Sequence, residues 1–422
     1  MQIVPTSLVR ISRYYMITAI AYLLLTLAVG VTRSLLPIPS DRLHWAPALL
    51  GWVTFPIMGS YYQFFPTLQG RELRWEHLTI PQFLMMNVGV LGLMAASVAG
   101  NGTALAIGSA IYTAGALLFA VIIVLANLDV TKIVLTLRFF LASLSYFVVA
   151  VLLLFANGLG LGPAWAVRPV ALHLLAFGWA VVAIMGAEYS LVPMLQLKDL
   201  RHPRLADAQF YVVNVGFVGL AVSLAIANPL LTAIFGLVTL AGILLFVYVI
   251  IASLRHGPSR LPHLDTSVKY FLVGIAYLVV TALVGTAMGA FGWAGLGSIH
   301  LHLGLIGLVT MTIVGAMYHI VPFVVWWEVY APKLGYEEVP LLKQLYSERA
   351  ALYQLYGLNV GLLVIIAGFA LKVSVLLAIG GTILIVTAVA FAWAMIGVVG
   401  HRKNLRKPNV EQNAETLYGG VR

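Results

Sequence analysis

Apolar runs of about 20 residues follow one another along this whole chain, and a bilayer is the solvent that accommodates so many of them. Charged residues are 9% of the 422, against roughly 25% in a soluble domain. The runs read as twelve spans, at about 14–32, 43–66, 79–99, 104–126, 134–156, 166–195, 209–227, 230–253, 270–291, 299–326, 352–371 and 373–399. The expected fold class is all-α integral membrane, one polytopic domain over 1–422. The first run follows Arg10 and Arg13 and reads as a span rather than a cleaved leader.

With twelve spans, Arg33, Arg42, Arg168 and Lys372 fall on one side of the membrane and the other twenty lysines and arginines on the side of the N-terminus. The positive-inside rule then places both termini in the cytoplasm of a cell membrane. It makes 327–351 a cytoplasmic loop and 401–422 a cytoplasmic tail. Basic loops facing anionic lipid account for the net charge of +10 without a nucleic-acid partner. The chain has no cysteine, which excludes disulfides, iron–sulfur clusters and covalently attached heme.

Three of the spans share a signature. Aligned on His173 and His302, glycine recurs at +5 (Gly178, Gly307) and +13 (Gly186, Gly315), tyrosine at +16 (Tyr189, Tyr318) and proline at +20 (Pro193, Pro322). The same offsets from Ala46 give Gly51, Gly59, Tyr62 and Pro66, with a histidine two residues upstream at His44. The third copy fills both positions, with His300 and His302. The anchors lie 127 and 129 residues apart, so the chain reads as three pseudo-symmetric four-helix repeats, roughly 1–130, 131–255 and 256–400.

At about 100° per residue the glycines, the tyrosine, the proline and position −2 share one stripe, and the anchor points the other way. His300 and His302 therefore project from opposite sides of one helix, which can serve two neighbouring sites. Small residues on the stripe also suit close helix packing. All four histidines fall at similar depth near one face of the membrane. Intramembrane imidazoles are costly and usually functional, and neutral imidazole is a common heme or metal ligand. Arg42, Arg168 and Lys372, the scarce bases near that depth, are candidates to meet heme propionates. Glu188 lies about 22 Å along its helix from His173 and is expected to pair with a loop base, with a proton path as the alternative.

Twelve helices, threefold pseudosymmetry and the run His300-Leu-His302-Leu-Gly-Leu-Ile-Gly307 resemble the catalytic subunit I of heme–copper oxidases, most of all the cbb-type (C-family) enzymes. The resemblance implies that His44 and His302 are the axial ligands of a low-spin heme b, that His300 is the proximal ligand of a second heme, and that His173 matches the first copper ligand. The family completes its copper site with adjacent histidines near the end of helix 7. Here that stretch reads Leu220-Ala-Val-Ser-Leu-Ala-Ile-Ala-Asn-Pro229, and one imidazole makes a poor copper site. Nitric oxide reductases of the superfamily add a glutamate four residues after the helix-6 histidine, where this chain has Phe177.

The expected function is a b-type heme membrane redox protein carrying electrons within a respiratory complex, with one or two hemes and no complete copper site. Its partners would be the lipid bilayer, other respiratory subunits, and a cytochrome c, cupredoxin-like or quinol donor. A divergent oxygen or nitric oxide reductase and a heme-based gas sensor are the alternatives. A transporter is disfavoured, because common transporters repeat in two halves.

Overall fold

The computed structural model describes residues 6–125, 128–257 and 261–404, and the end of the expected tail lies outside them. The described chain is helical and antiparallel throughout. Its helices are α1 (Thr6–Leu35), α2 (42–69), α3 (Thr79–Ala99), α4 (Gly102–Val124), α5 (Leu135–Gly158), α6 (164–195), α7 (Pro203–Ala225), α8 (Pro229–Arg255), α9 (Thr266–Phe291), α10 (297–329), α11 (Glu348–Leu371) and α12 (Ser374–Gly400). Among the described residues eleven helices are long and apolar enough to cross a membrane. Helix α2 is the one not among them. At about 1.5 Å per residue it is long enough to span, but its sequence is diluted by Trp52, Ser60, Tyr61, Tyr62 and three prolines.

Polarity and burial explain one another here. The apolar windows of α6 and α10 are 72% and 83% buried inside the protein, against 22–50% for the other nine spans. Along α2, Leu49–Met58 is buried without interruption. Helices α2, α6 and α10 thus form an inner layer that meets protein rather than lipid, where tyrosine, tryptophan and glycine are tolerated. The remaining helices pack around them, with α1 on α12, α4 on α5 and α8 on α9 closing the ring.

Each inner helix is broken in the same way. A π-helical segment begins one residue after each anchor: Pro47–Val53, Leu174–Val181 and Leu303–Thr310. Such wide turns are uncommon and concentrate at functional sites. Each widened stretch is pressed against an aromatic ring of the preceding helix. A methyl group on Gly51, Gly178 or Gly307 would run into Tyr22, Tyr146 or Tyr277 at 2.4–2.7 Å. Only glycine lets those backbones come so close. The same three tyrosines donate their hydroxyls to Asn87, Asn214 and Asn359.

Deeper in the bundle, Tyr62, Tyr189 and Tyr318 donate to Gln82, Gln209 and Gln354. The amides of Gln82 and Gln209 donate in turn to the carbonyls of Gly115 in α4 and Gly242 in α8. Buried amides that satisfy both their oxygen and their nitrogen pin three helices together, because an unmade bond in lipid has no water to fall back on.

The segment expected as a loop from 327 starts later, since α10 runs to Val329. It then makes two short 3-10 turns, Ala331–Lys333 and Leu342–Leu345. It is tied to the bundle by Trp326 donating to the Pro340 carbonyl and by an ion pair from Lys343 to Asp265.

Candidate functional site

The four histidines come together as two pairs. His44, at the start of α2, faces His302, at the start of α10, with ring centres 6.4 Å apart and ring planes 23° from parallel. His173 on α6 faces His300 on α10 with centres 6.2 Å apart and planes at 27°. The two imidazoles of α10 do point to opposite sides, each toward a different inner helix. Rings in van der Waals stacking would be much closer, so each pair leaves a gap.

Tautomers follow from the partners. His173 Nδ1 lies 2.8 Å from the Pro169 carbonyl, His302 Nδ1 2.7 Å from the Ser298 carbonyl, and His300 Nδ1 3.0 Å from the Thr281 carbonyl. A carbonyl only accepts, so each Nδ1 carries the proton and donates, leaving the Nε2 lone pair free. Fixing a ligand imidazole through its other nitrogen is the usual second support of a metal site. His44 differs: its buried Nδ1 has no partner within hydrogen-bond geometry, although the Thr26 carbonyl lies close enough to act on it.

Two glycines make room for these rings. A Cβ on Gly30 of α1 would stand 2.9 Å from His44 Cε1, and one on Gly285 of α9 would stand 2.6 Å from His300 Cε1. Thr26 and Thr281 each precede their glycine by four residues, one helical turn. Sequence reasoning missed all four residues. The signal was present: Thr and Gly follow Tyr22 at +4 and +8, and Tyr277 at the same offsets. Phe369 of α11 closes the His302 side, its ring centre 4.8 Å from the imidazole.

The basic residues at this end of the bundle lie in more than one place. Arg33 is near enough to both His44 and His302 to exert its charge on each, and it was not among the candidates. Arg42 and Arg168 line a separate cavity of about 340 Å³ between α2, α3, α4, α5 and α6. Asp41, at the rim of that cavity, pairs with Arg33 at 2.8 Å and with Arg168 at 3.5 Å. Lys372 caps α11 in a left-handed conformation, φ 58°, three residues beyond Phe369.

Glu188 departs from its expected pairing. It is buried, it forms no ion pair among the described residues, and both its carboxyl oxygens lack a hydrogen-bond partner, with Thr312 the polar neighbour. It lines a small apolar cavity between α2, α6 and α10 instead of reaching a loop. Burial depth explains the miss: the inner layer extends further along α6 than apolarity alone suggests.

A trans pair of imidazoles on one metal has a calculable span. A metal–nitrogen bond of about 2.0–2.1 Å, with about 1.1 Å from nitrogen to ring centre, puts the two centres about 6.3 Å apart. Both pairs meet that value. With three Nδ1 protons anchored on carbonyls and the His44 and His300 rings cleared by glycine, the residues present fit heme ligation. Among the described residues no three His, Asp or Glu side chains converge as a metal cluster. Phe177 packs on Phe217, ring centres 4.9 Å apart.

No family model matches the sequence. A protein of Aquifex aeolicus (strain VF5), itself described only as uncharacterized, is 26% identical over 323 residues, covering 76% of this chain and 80% of that one. Among solved structures, a heme–copper terminal oxidase dimer superposes with a TM-score of 0.66 at 14% identity, over 92% of this chain and 84% of that chain. The chain has the fold of a heme–copper terminal oxidase.

Proposed function

We propose that this protein is a b-type heme redox protein of the cell membrane, carrying electrons as one subunit of a larger respiratory assembly. The observation that carries the reading is the His44–His302 pair: two imidazoles 258 residues apart in sequence, held 6.4 Å apart on two different inner helices. A heme bound there supplies a one-electron couple in a low-dielectric site. The chain's own part is to fix both ring planes, to hold the His302 Nδ1 proton on the Ser298 carbonyl, and to place Arg33, itself paired with Asp41, beside the pair as a positive charge for a propionate. Phe369 closes the α11 side.

The architecture supporting this reading is twelve spans in three four-helix repeats, with α2, α6 and α10 as the equivalent inner helices. The recurrence of the glycine–tyrosine, tyrosine–asparagine and tyrosine–glutamine contacts argues for it. In that frame position −2 of one repeat meets the anchor of another. The third such meeting falls to Ala171 and Ala46, which bring no ligand, so two sites are built and not three. Both termini are cytoplasmic, and the histidines lie toward the opposite face. The electron donor is a cytochrome c, a cupredoxin-like protein or quinol.

Oxygen or nitric oxide reduction at a heme–metal centre is the second reading, and the shared fold is what favours it. The deciding experiment is heme extraction as the pyridine hemochrome, with iron and copper content and a reduced-minus-oxidised spectrum, on purified full-length protein. Heme b with the low-spin spectrum of bis-histidine ligation, lost in His44→Ala and His302→Ala, is the expected result. Protein that stays colourless after expression with ample heme precursor overturns the proposal.

A further inference from the structure

We infer that the second site, His173 with His300, is itself a bis-histidine heme site. His173 is then the sixth ligand of the second heme and not a relic of a copper centre, and the chain holds two six-coordinate hemes that are closed to gas ligands. The inference rests on the heme reading above and deepens it.

Spacing decides between the two arrangements. A heme iron held by His300 and a second metal held by His173 would both have to fit between the facing rings. Two metals roughly 3.5–4 Å apart and in line with both imidazoles would hold the ring centres about 10 Å apart. The observed separation is 6.2 Å, room for one metal atom and no second. It matches the His44–His302 pair to within 0.2 Å, and the ring planes are related by 27° against 23°.

Orientation supports the same assignment. His173 and His300 both donate Nδ1–H to backbone carbonyls, Pro169 and Thr281, from opposite sides of the gap. Both Nε2 lone pairs are therefore free to act as ligands. The surroundings offer no third ligand: among the described residues no further His, Asp or Glu joins the pair, and Phe177 and Phe217 occupy the flank toward α7. Gly285 relieves His300 just as Gly30 relieves His44. The second site thus repeats the first in spacing and in ring clearance.

Full-length protein is purified and its hemes are counted. The ferric protein is examined by electron paramagnetic resonance and the ferrous protein by its response to carbon monoxide. Two hemes per chain, both low-spin, with carbon monoxide binding to less than about a tenth of them, is the expected outcome. His173→Ala should keep two hemes while converting one to a high-spin, carbon monoxide-reactive form. His173→Met should restore a six-coordinate spectrum with a sulfur signature, which separates ligation from a folding defect. A parent with one high-spin, carbon monoxide-reactive heme, or with one copper per chain, overturns the inference. So does a His173→Ala spectrum identical to the parent's. In those cases the His44–His302 heme remains, with copper pointing to the second reading above, whereas absence of all heme removes the proposed function itself.

Discussion

Gly30 and Gly285 decide whether α1 and α9 can lie against imidazoles at all, since a methyl group at either would stand within 2.9 Å of a ring carbon. Gly30→Val should therefore displace His44 and weaken the proposed first heme site. Altering a residue that only supports a ligand typically costs 10–100-fold in affinity. The expected result is a heme content lower by up to one per chain, with the His44–His302 low-spin signal reduced and the second signal kept. Equal loss of both signals would mean that the bundle, and not the site, had failed. The histidines themselves were legible because their offsets repeat. The resemblance paired His44 with His302, but nothing in the sequence paired His173 with His300. Sequence gives the face of each helix but not which faces meet across 127 or more residues, so resemblance alone assigned His173 to a copper centre. Arg33 escaped notice for a related reason: it ends one helix while His44 begins the next, and only the turn between them brings the charge to the ring.

The inner helices show how element-level pattern becomes architecture. Glycine at +5 and +13 reads from sequence as a stripe for close packing, and the structure puts Tyr22, Tyr146 and Tyr277 against the first of those glycines and Tyr15, Phe139 and Tyr270 against the second. What spacing at 100° per residue cannot show is the π segment after each anchor, which adds a residue to the turn and changes the phase downstream. Hydropathy likewise undervalues α2, because a helix surrounded by protein has no need to be oily. The glutamine nodes give this scale its test. Gln82 accepts from both Tyr15 and Tyr62 and donates to the Gly115 carbonyl. Gln209 accepts from Tyr189 and donates to the Gly242 carbonyl, with Phe139 where the first node has Tyr15. Gln82→Leu orphans more groups and should cost on the order of 2–4 kcal/mol, Gln209→Leu on the order of 1–3 kcal/mol. Thermal unfolding in detergent checks the order of the two, and a larger loss for Gln209→Leu would contradict the satisfaction argument.

Across the whole molecule the two ends of the bundle are chemically distinct. One end holds the histidine pairs, Asp41 and the four scarce bases. The other holds most of the lysines and arginines, and a reporter fused after Arg422 should be active only in its cytoplasmic form if that basic end faces the cytoplasm. The basic end is fastened by Glu328. It accepts from Arg13 at 2.5 Å and from Arg402 through two bonds of 2.9 Å, joining α1, α10 and the turn after α12. Arg13 is only 6% exposed, whereas Arg402 is 36% exposed. Removing Glu328 therefore leaves Arg13 as a buried charge without its partner, a loss of about 3–5 kcal/mol, while Arg402→Ala removes a partly solvated contact worth about 1 kcal/mol or less. Glu328→Ala should lower the unfolding temperature clearly and Arg402→Ala slightly. Neither should move the heme spectrum, because Arg13 and Gly30 are separated by about 25 Å of continuous helix. A spectral shift in Glu328→Ala at temperatures where the protein remains folded would show that the clasp and the histidine pairs are coupled, and that the two ends do not act as separate layers.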